Sequence, residues 1–310
     1  MTKTNTKKEK IVWKRQLPLF MMIIPGCIYL IINNYVPMLG IFIAFKNIDY
    51  GKGIFKSDWV GLSNFTYLFK TKDAFIMTRN TVLYNLAFII IGTVIGIAVG
   101  IMLSELRGKF RSKFYQTVIL LPYLLSWVIV AYIGYAFMSN DTGLLNNTIL
   151  PKLGIKPISW YADFKVWPFI LVAVNIWKGI GYSAILYLST IIGIDKSLYE
   201  AAQVDGASKW KQIKNITLPL LKPMVIMLVI MNIGRIFNSD FGLFYQLPMN
   251  SGALYPTTQT IDTYVYRGLM QLNDVSMSAA AGLYQSVVGF ILVIIANSVV
   301  RKVSSDNALF

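Results

Sequence analysis

Long stretches without a charged residue constrain this chain more than any other feature. Gln16 to Phe45, Asn80 to Ser104, Phe114 to Asn140 and Val275 to Val300 hold no Asp, Glu, Lys or Arg. A bilayer core about 30 Å thick needs roughly 20 apolar helical residues to cross it. Each stretch is long enough. Two further apolar stretches are interrupted: Val166 to Ile194 contains only Lys178, and Pro223 to Leu247 contains only Arg235 and Asp240. The pattern predicts six spans, near residues 17–38, 81–103, 117–138, 167–190, 224–246 and 278–300. These runs are too long and too evenly apolar for the alternating strands of a membrane barrel, so the expected fold is an all-α integral membrane protein. Prolines at 25, 37, 122, 168, 223 and 248 fall inside or at the ends of spans, where membrane helices tolerate them. The uncharged run after the basic start is longer than the roughly 7–15 residues of a signal-peptide core. Leu17 onward is therefore expected to be a retained first span, between a basic tail (1–16) and a closing tail (301–310).

Composition removes several kinds of chemistry. Charged residues make up 14% of the chain, against about 25% in soluble domains. The single cysteine, Cys27, leaves no internal disulfide, and the absence of histidine removes His-ligated metals and His bases. Asp240 is the one acid inside a predicted span, so a pair of membrane carboxylates is missing too. An intramembrane enzyme has little to work with. The net charge of +15 calls for no nucleic acid once it is placed along the chain. The alternate polar segments beginning with the N-terminal tail carry 17 Lys and Arg, and the other set carries 10. The positive-inside rule puts the richer set, with both termini, in the cytoplasm. That is the expected arrangement in the plasma membrane of a bacterial cell.

The cytoplasmic segment 195–222 has more structure in it than a connector needs. Asp195 is suited to cap a helix in which Leu198, Ala201, Ala202 and Val204 share a face. Asp205-Gly206 signals a turn, and Ser208 can cap a second helix carrying Trp210, Ile213 and Ile216. Leu218-Pro219 is expected to end that helix. Lys209, Lys211 and Lys214 form a basic face. Two readings stay open on these residues alone: an amphipathic hairpin lying on anionic lipid, or a rigid helix pair that docks in a groove of a soluble partner.

The fixed residues of this segment are Glu200-Ala201-Ala202, then Gly206, then Ile216-Thr217-Leu218-Pro219. They resemble the E-A-A loop of ABC importer permeases at every fixed position and in both spacings. Val204 to Ser208, Ile216 to Pro223, and Trp59-Val60-Gly61-Leu62-Ser63-Asn64-Phe65 in the first outer loop resemble the carbohydrate branch of that family. The likeness covers roughly residues 15–305. It implies a type I ABC importer permease-like fold, with a cytoplasmic coupling helix between spans four and five. It also implies that Glu200, Ala201 and Ala202 contact an ATPase subunit, that Asp205 and Gly206 make the turn, and that Leu218 and Pro219 set the entry into span five. The chain has no G-x-x-x-x-G-K-[ST] signature. The resemblance therefore implies a transport subunit rather than an enzyme. It binds no cofactor of its own, and ATP and Mg act on separate ATPase subunits. The implied partners are two ATPase copies, a second six-span permease, an extracellular solute-binding protein and a sugar.

Polar residues inside spans are costly, and usually face a protein interior or an aqueous path. In span four, Asn175, Lys178 and Tyr182 recur at helical spacing on one face. In span five, Asn232, Arg235 and Ser239 do the same, with Asn238 and Asp240 adjacent. Span three adds Tyr123, Ser126 and Trp127, and span six adds Tyr284, Gln285 and Ser286. Such groups suit sugar hydroxyls and pyranose faces, or tie helices together. The alternatives to a sugar importer are an ABC permease for an amino acid, peptide or metal complex, and a self-sufficient channel or secondary carrier.

Overall fold

A computed structural model describes residues 13–303. The outer parts of both tails, 1–12 and 304–310, lie outside the described residues. Among the described residues, five helical stretches are long and apolar enough to cross a membrane: Phe20–Phe45, Lys72–Ser104, Trp167–Ile192, Lys209–Ile233 and Val275–Lys302. A sixth crossing is a bent pair, Lys109–Leu124 and Trp127–Met138, turned by 92°. We refer to these, in chain order, as spans one, two, four, five and six, with the bent pair as span three. The mostly helical, polytopic architecture matches the expected class, and several span limits do not.

Span three is not the continuous helix expected over 117–138. Pro122 removes a backbone donor inside the first helix, and the chain goes extended at Leu125 and Ser126. Ser126 then restarts the helix, its hydroxyl accepting from the Ile129 N–H at 3.3 Å. Span five, expected over 224–246, begins earlier and stops earlier. Its helix starts behind the Ser208 cap and runs to Ile233. Leu218-Pro219 therefore does not end the helix. A π-helical stretch, Ile213–Thr217, inserts a wider turn in which the Leu218 N–H reaches back to the Ile213 carbonyl, and the chain continues through Pro219. Beyond Gly234 the second half of the expected span is a set of turns, followed by a π-helical turn at Gly242–Gln246.

The connection between spans five and six is not a surface loop. Thr258, Gln259, Thr260, Ile261 and Thr263 are almost fully buried. They lead into a helix, Ile261–Met270, capped by a reciprocal Thr260–Thr263 box. In the first outer loop a two-stranded ribbon pairs Lys46 with Trp59 and Asn47 with Asp58. Spans two and four form the central seam, where Leu103, Ala184 and Leu188 pack together. A second apolar cluster joins Trp167, Leu171, Leu243, Phe244 and Leu247 beneath the outer loops. Span one is attached differently: 6% of its most apolar stretch is buried, against 17% for spans two, four and five. Its apolar surface is left for lipid or another chain.

Candidate functional site

Spans two and four and the broken end of span five meet around a cavity of about 310 Å³. Span two contributes Asn85 and Thr93, span four Asn175, Tyr182 and Ser183, and the end of span five Asn232, Arg235 and Asn238. Phe88, Ile176 and Leu228 supply apolar walls. No Asp or Glu lines it. The structure thus brings together five of the eight residues expected along a path: Asn175, Tyr182, Asn232, Arg235 and Asn238.

The other three are engaged elsewhere. Lys178 shares a helical face with Asn175 and Tyr182, but its ammonium turns to the break in span three. There it donates to the carbonyls of Tyr123 at 2.8 Å, Leu125 at 2.7 Å and, longer, Pro122 at 3.4 Å. It also lies 5.1 Å from the Trp127 ring centre. Ser239 donates its backbone N–H and its hydroxyl to one oxygen of Asp262, at 2.6 and 2.7 Å. Asp240 accepts the Trp127 indole N–H at 2.8 Å on one oxygen, and the N–H groups of Gly242 and Leu243 on the other. Sequence periodicity put Lys178 on the right helix, while Ser239 and Asp240, expected within span five, lie beyond its end at Ile233. It could not show that the helix breaks would supply partners there.

Three further residues hold the site: Gln285, which was on the expected polar face of span six, and Asn85 and Asp262, which were not named. Asn85 donates to the carbonyls of Ile236 and Asn238 at 3.0 and 3.1 Å, which secures the end of span five. Gln285 of span six donates to the Phe237 carbonyl at 2.7 Å and to Asn238 and Asp262 oxygens. Asp262 sits at the start of the buried helix Ile261–Met270. Asn85 was signalled as a lone amide in an apolar span. Asp262 carried no signal, because its segment reads as a loop.

Between spans four and five the expected helix is present at Lys196–Val204. The Asp195 carboxylate caps it, accepting the Ser197 N–H at 2.9 Å, and the hydrogen bonds from Ser197 hold its carboxyl below the usual carboxylate range. Glu200, Ala201 and Asp205 are exposed and Ala202 is half-buried. Gly206 takes φ +73°, a conformation that side chains with a Cβ resist. Leu218 and Pro219 are exposed at the continuing helix. Leu198, Val204 and Trp210 also stay exposed, Val204 at 88%. The loop is stiffened from behind. The Tyr199 and Thr217 hydroxyls share a 2.9 Å hydrogen bond, and Lys209 pairs with Glu105 at the end of span two at 2.9 Å.

A bundle in which spans two and four and the broken end of span five surround a polar cavity, with a stiffened helix presented on one end, is the form of a membrane permease rather than an enzyme. Residues 92–305 match the family described as binding-protein-dependent transport system inner membrane component, and the chain belongs to that family. The polygalacturonan/rhamnogalacturonan transport system permease protein YteP of Bacillus subtilis (strain 168) is 34% identical over 304 residues, 97% of this chain and 94% of that protein. Protein LplB of the same organism is 34% identical over 294 residues, covering 95% of this chain and 92% of LplB. Among solved structures, a bacterial ABC transporter involved in the import of the acidic polysaccharide alginate has a chain similar to this one. Its TM-score is 0.86 at 32% identity, over 94% of this chain and 98% of that one. A bacterial alginate ABC transporter in complex with an alginate pentasaccharide-bound periplasmic protein gives 0.85 at 31%, over 95% and 99%. The fold is that of a type I ABC importer permease.

Proposed function

We propose that this chain is the permease subunit of an ATP-driven importer that moves an oligosaccharide into a bacterial cell by alternating access. The observation that carries the reading is the cavity. The Asn175 and Asn232 amides and the Tyr182 hydroxyl line it with no hydrogen-bond partner among the described residues. Tyr182 stacks on Tyr123 at 5.0 Å, an aromatic edge beside those amides. Free amides and hydroxyls beside aromatic rings suit sugar hydroxyls and C–H faces. The names of similar proteins, which mention polygalacturonan, rhamnogalacturonan and alginate, agree with this cargo.

The partners follow from surfaces that the chain leaves open. Span one has little cover, which suits packing against a second, related six-span permease. The exposed Leu198, Val204 and Trp210, with Glu200 and Ala201, suit docking into two cytoplasmic ATPase subunits, which use ATP and Mg. An external solute-binding protein delivers the sugar, and closure of the ATPases moves the docked helices and opens the path outward. The charge distribution supports cytoplasmic termini in the plasma membrane.

Reconstitution of the chain with a second permease, ATPase and binding protein in proteoliposomes tests this. ATP hydrolysis and uptake should both rise with sugar-loaded binding protein. Sugar flux through the purified chain alone would instead identify a self-sufficient carrier. Glu200→Ala with Gly206→Pro should uncouple hydrolysis from uptake. Intact coupled transport in that variant would overturn the coupling assignment.

A further inference from the structure

The cavity contains one charge and nothing to answer it. Arg235 lines it, its side chain is exposed within the chain, and its guanidinium has no hydrogen bond or ion pair among the described residues. The other polar lining groups are neutral: Asn85, Thr93, Asn175, Tyr182, Ser183 and Asn238 are among them. The two carboxylates that follow Arg235 in sequence are both occupied. Asp240 holds the Trp127 indole and two backbone N–H groups. Asp262 holds Ser239 on one oxygen and Gln285 on the other. The backbone carbonyls freed by the break in span five are taken by Asn85 and Gln285, so they do not occupy Arg235 either.

A neutral sugar needs none of this. Amides and hydroxyls satisfy its hydroxyl groups, and a guanidinium held within the membrane, away from any carboxylate, is costly. Low-dielectric walls around a single uncompensated positive charge concentrate anions at that point. A guanidinium also presents paired N–H groups that match the two oxygens of a carboxylate or phosphate.

We propose that Arg235 selects an anionic sugar, binding the carboxylate or phosphate of the cargo in the cavity while Asn175, Asn232 and Asn238 receive its hydroxyls. The proposal rests on the transport reading above and narrows its substrate class. Carboxylate and phosphate share the chemistry that Arg235 recognises, so the experiment separates them.

The test uses the assembled transporter in proteoliposomes. Probes are a galacturonate trisaccharide, the same trisaccharide with its carboxyls reduced to alcohols, and a sugar phosphate, each offered with binding protein. ATPase stimulation by loaded binding protein reports docking. Wild-type uptake should favour an anionic probe over the reduced one, and whichever anion is preferred identifies the source of the charge. Arg235→Gln should lower uptake of that anion by about ten- to hundredfold, the scale of a hydrogen bond to a charged group. Docking and subunit assembly should be preserved, and Arg235→Lys should recover part of the uptake. Equal wild-type uptake of reduced and anionic trisaccharide would overturn the proposal. So would unchanged uptake in Arg235→Gln, or loss of permease pairing in that variant, which would assign Arg235 to a partner subunit. Absence of binding-protein-stimulated hydrolysis in the wild type would count against the transport reading instead.

Discussion

Spans three and five both break inside the membrane, and both carry a cation close by, yet the two breaks are closed by different chemistry. At the span-three break, carbonyls of Pro122, Tyr123 and Leu125 are gathered by the ammonium of Lys178, reaching across from span four. At the span-five break, carbonyls of Ile236, Phe237 and Asn238 are gathered by the neutral amides of Asn85 and Gln285. A backbone group freed inside a bilayer must find a donor, because no water is there to supply one. Where a lysine supplies it, that lysine is no longer available to cargo. Where amides supply it, the arginine next to the break is left free. The capping group at each break therefore decides which intramembrane charge is structural and which can be functional.

Removing the cation at the first break should have the largest structural effect. Lys178→Met keeps an unbranched side chain of nearly the same length but takes the lysine donor from the Tyr123 and Leu125 carbonyls, while Pro122 keeps the Leu125 N–H. The purified complex should lose stability by about 1–3 kcal/mol, the cost of orphaned buried acceptors, and melt several degrees lower. Uptake should fall only in proportion to the folded fraction. Near-normal stability with selective loss of uptake would reverse the comparison and make Lys178 a cargo residue.

Asn85→Leu makes the matching change at the second break and should cost less, roughly 1 kcal/mol, because Gln285 still holds the Phe237 carbonyl. Here Arg235 is beside the freed carbonyls and can turn to them. Uptake should then drop more than stability does. A melting shift as large as that of Lys178→Met, with uptake per folded complex unchanged, would show that the two breaks are equivalent.

The link between the breaks is the Trp127 indole bonded to Asp240. Trp127→Phe removes that N–H and keeps an aromatic ring beside Lys178. Asp240 retains its two backbone donors, so the expected loss is about 0.5–1 kcal/mol. Thermal melting of the double variant Trp127→Phe/Asp240→Asn should show little beyond the single change. Additive losses would mean that the pair does not interact as drawn.

The sequence made some of this readable and hid the rest for physical reasons. Span number, the helix at Lys196–Val204 with its Asp195 cap and the Ser208 cap of the next helix were legible, because hydropathy, capping and spacing are local properties. The helix breaks were not. Pro122 and Gly234 are common enough in membrane helices that neither announces a break, and the continuation through Pro219 depended on a π-helical turn that no composition signals. The roles of Lys178 and Arg235 were hidden for the same reason. Each sits at the middle position of an i, i+3, i+7 polar face, Lys178 with Asn175 and Tyr182, Arg235 with Asn232 and Ser239. Only the positions of the broken carbonyls tell them apart. The connection between spans five and six gave no signal of burial, because its buried polar residues are mostly threonines and a glutamine, which resemble loop composition while serving as helix caps and amide partners.

The smallest structural effect is expected at Arg235, and it is the sharpest test of the contrast. Arg235→Met removes a charge that no described group answers, so no partner is orphaned and a membrane-buried charge is lost. Stability should change by no more than about 0.5 kcal/mol, as for substitutions away from any interaction network, and any change should favour the variant. Lys178→Met and Arg235→Met are the same kind of substitution, one within span four and one in the turn just past the end of span five, measured by the same melting assay. If both lower the melting temperature alike, Arg235 has a structural partner, and the rule that the capping donor decides which cation stays free is wrong. If Lys178→Met melts early while Arg235→Met melts with the wild type, the two cations are separated by the breaks they stand beside.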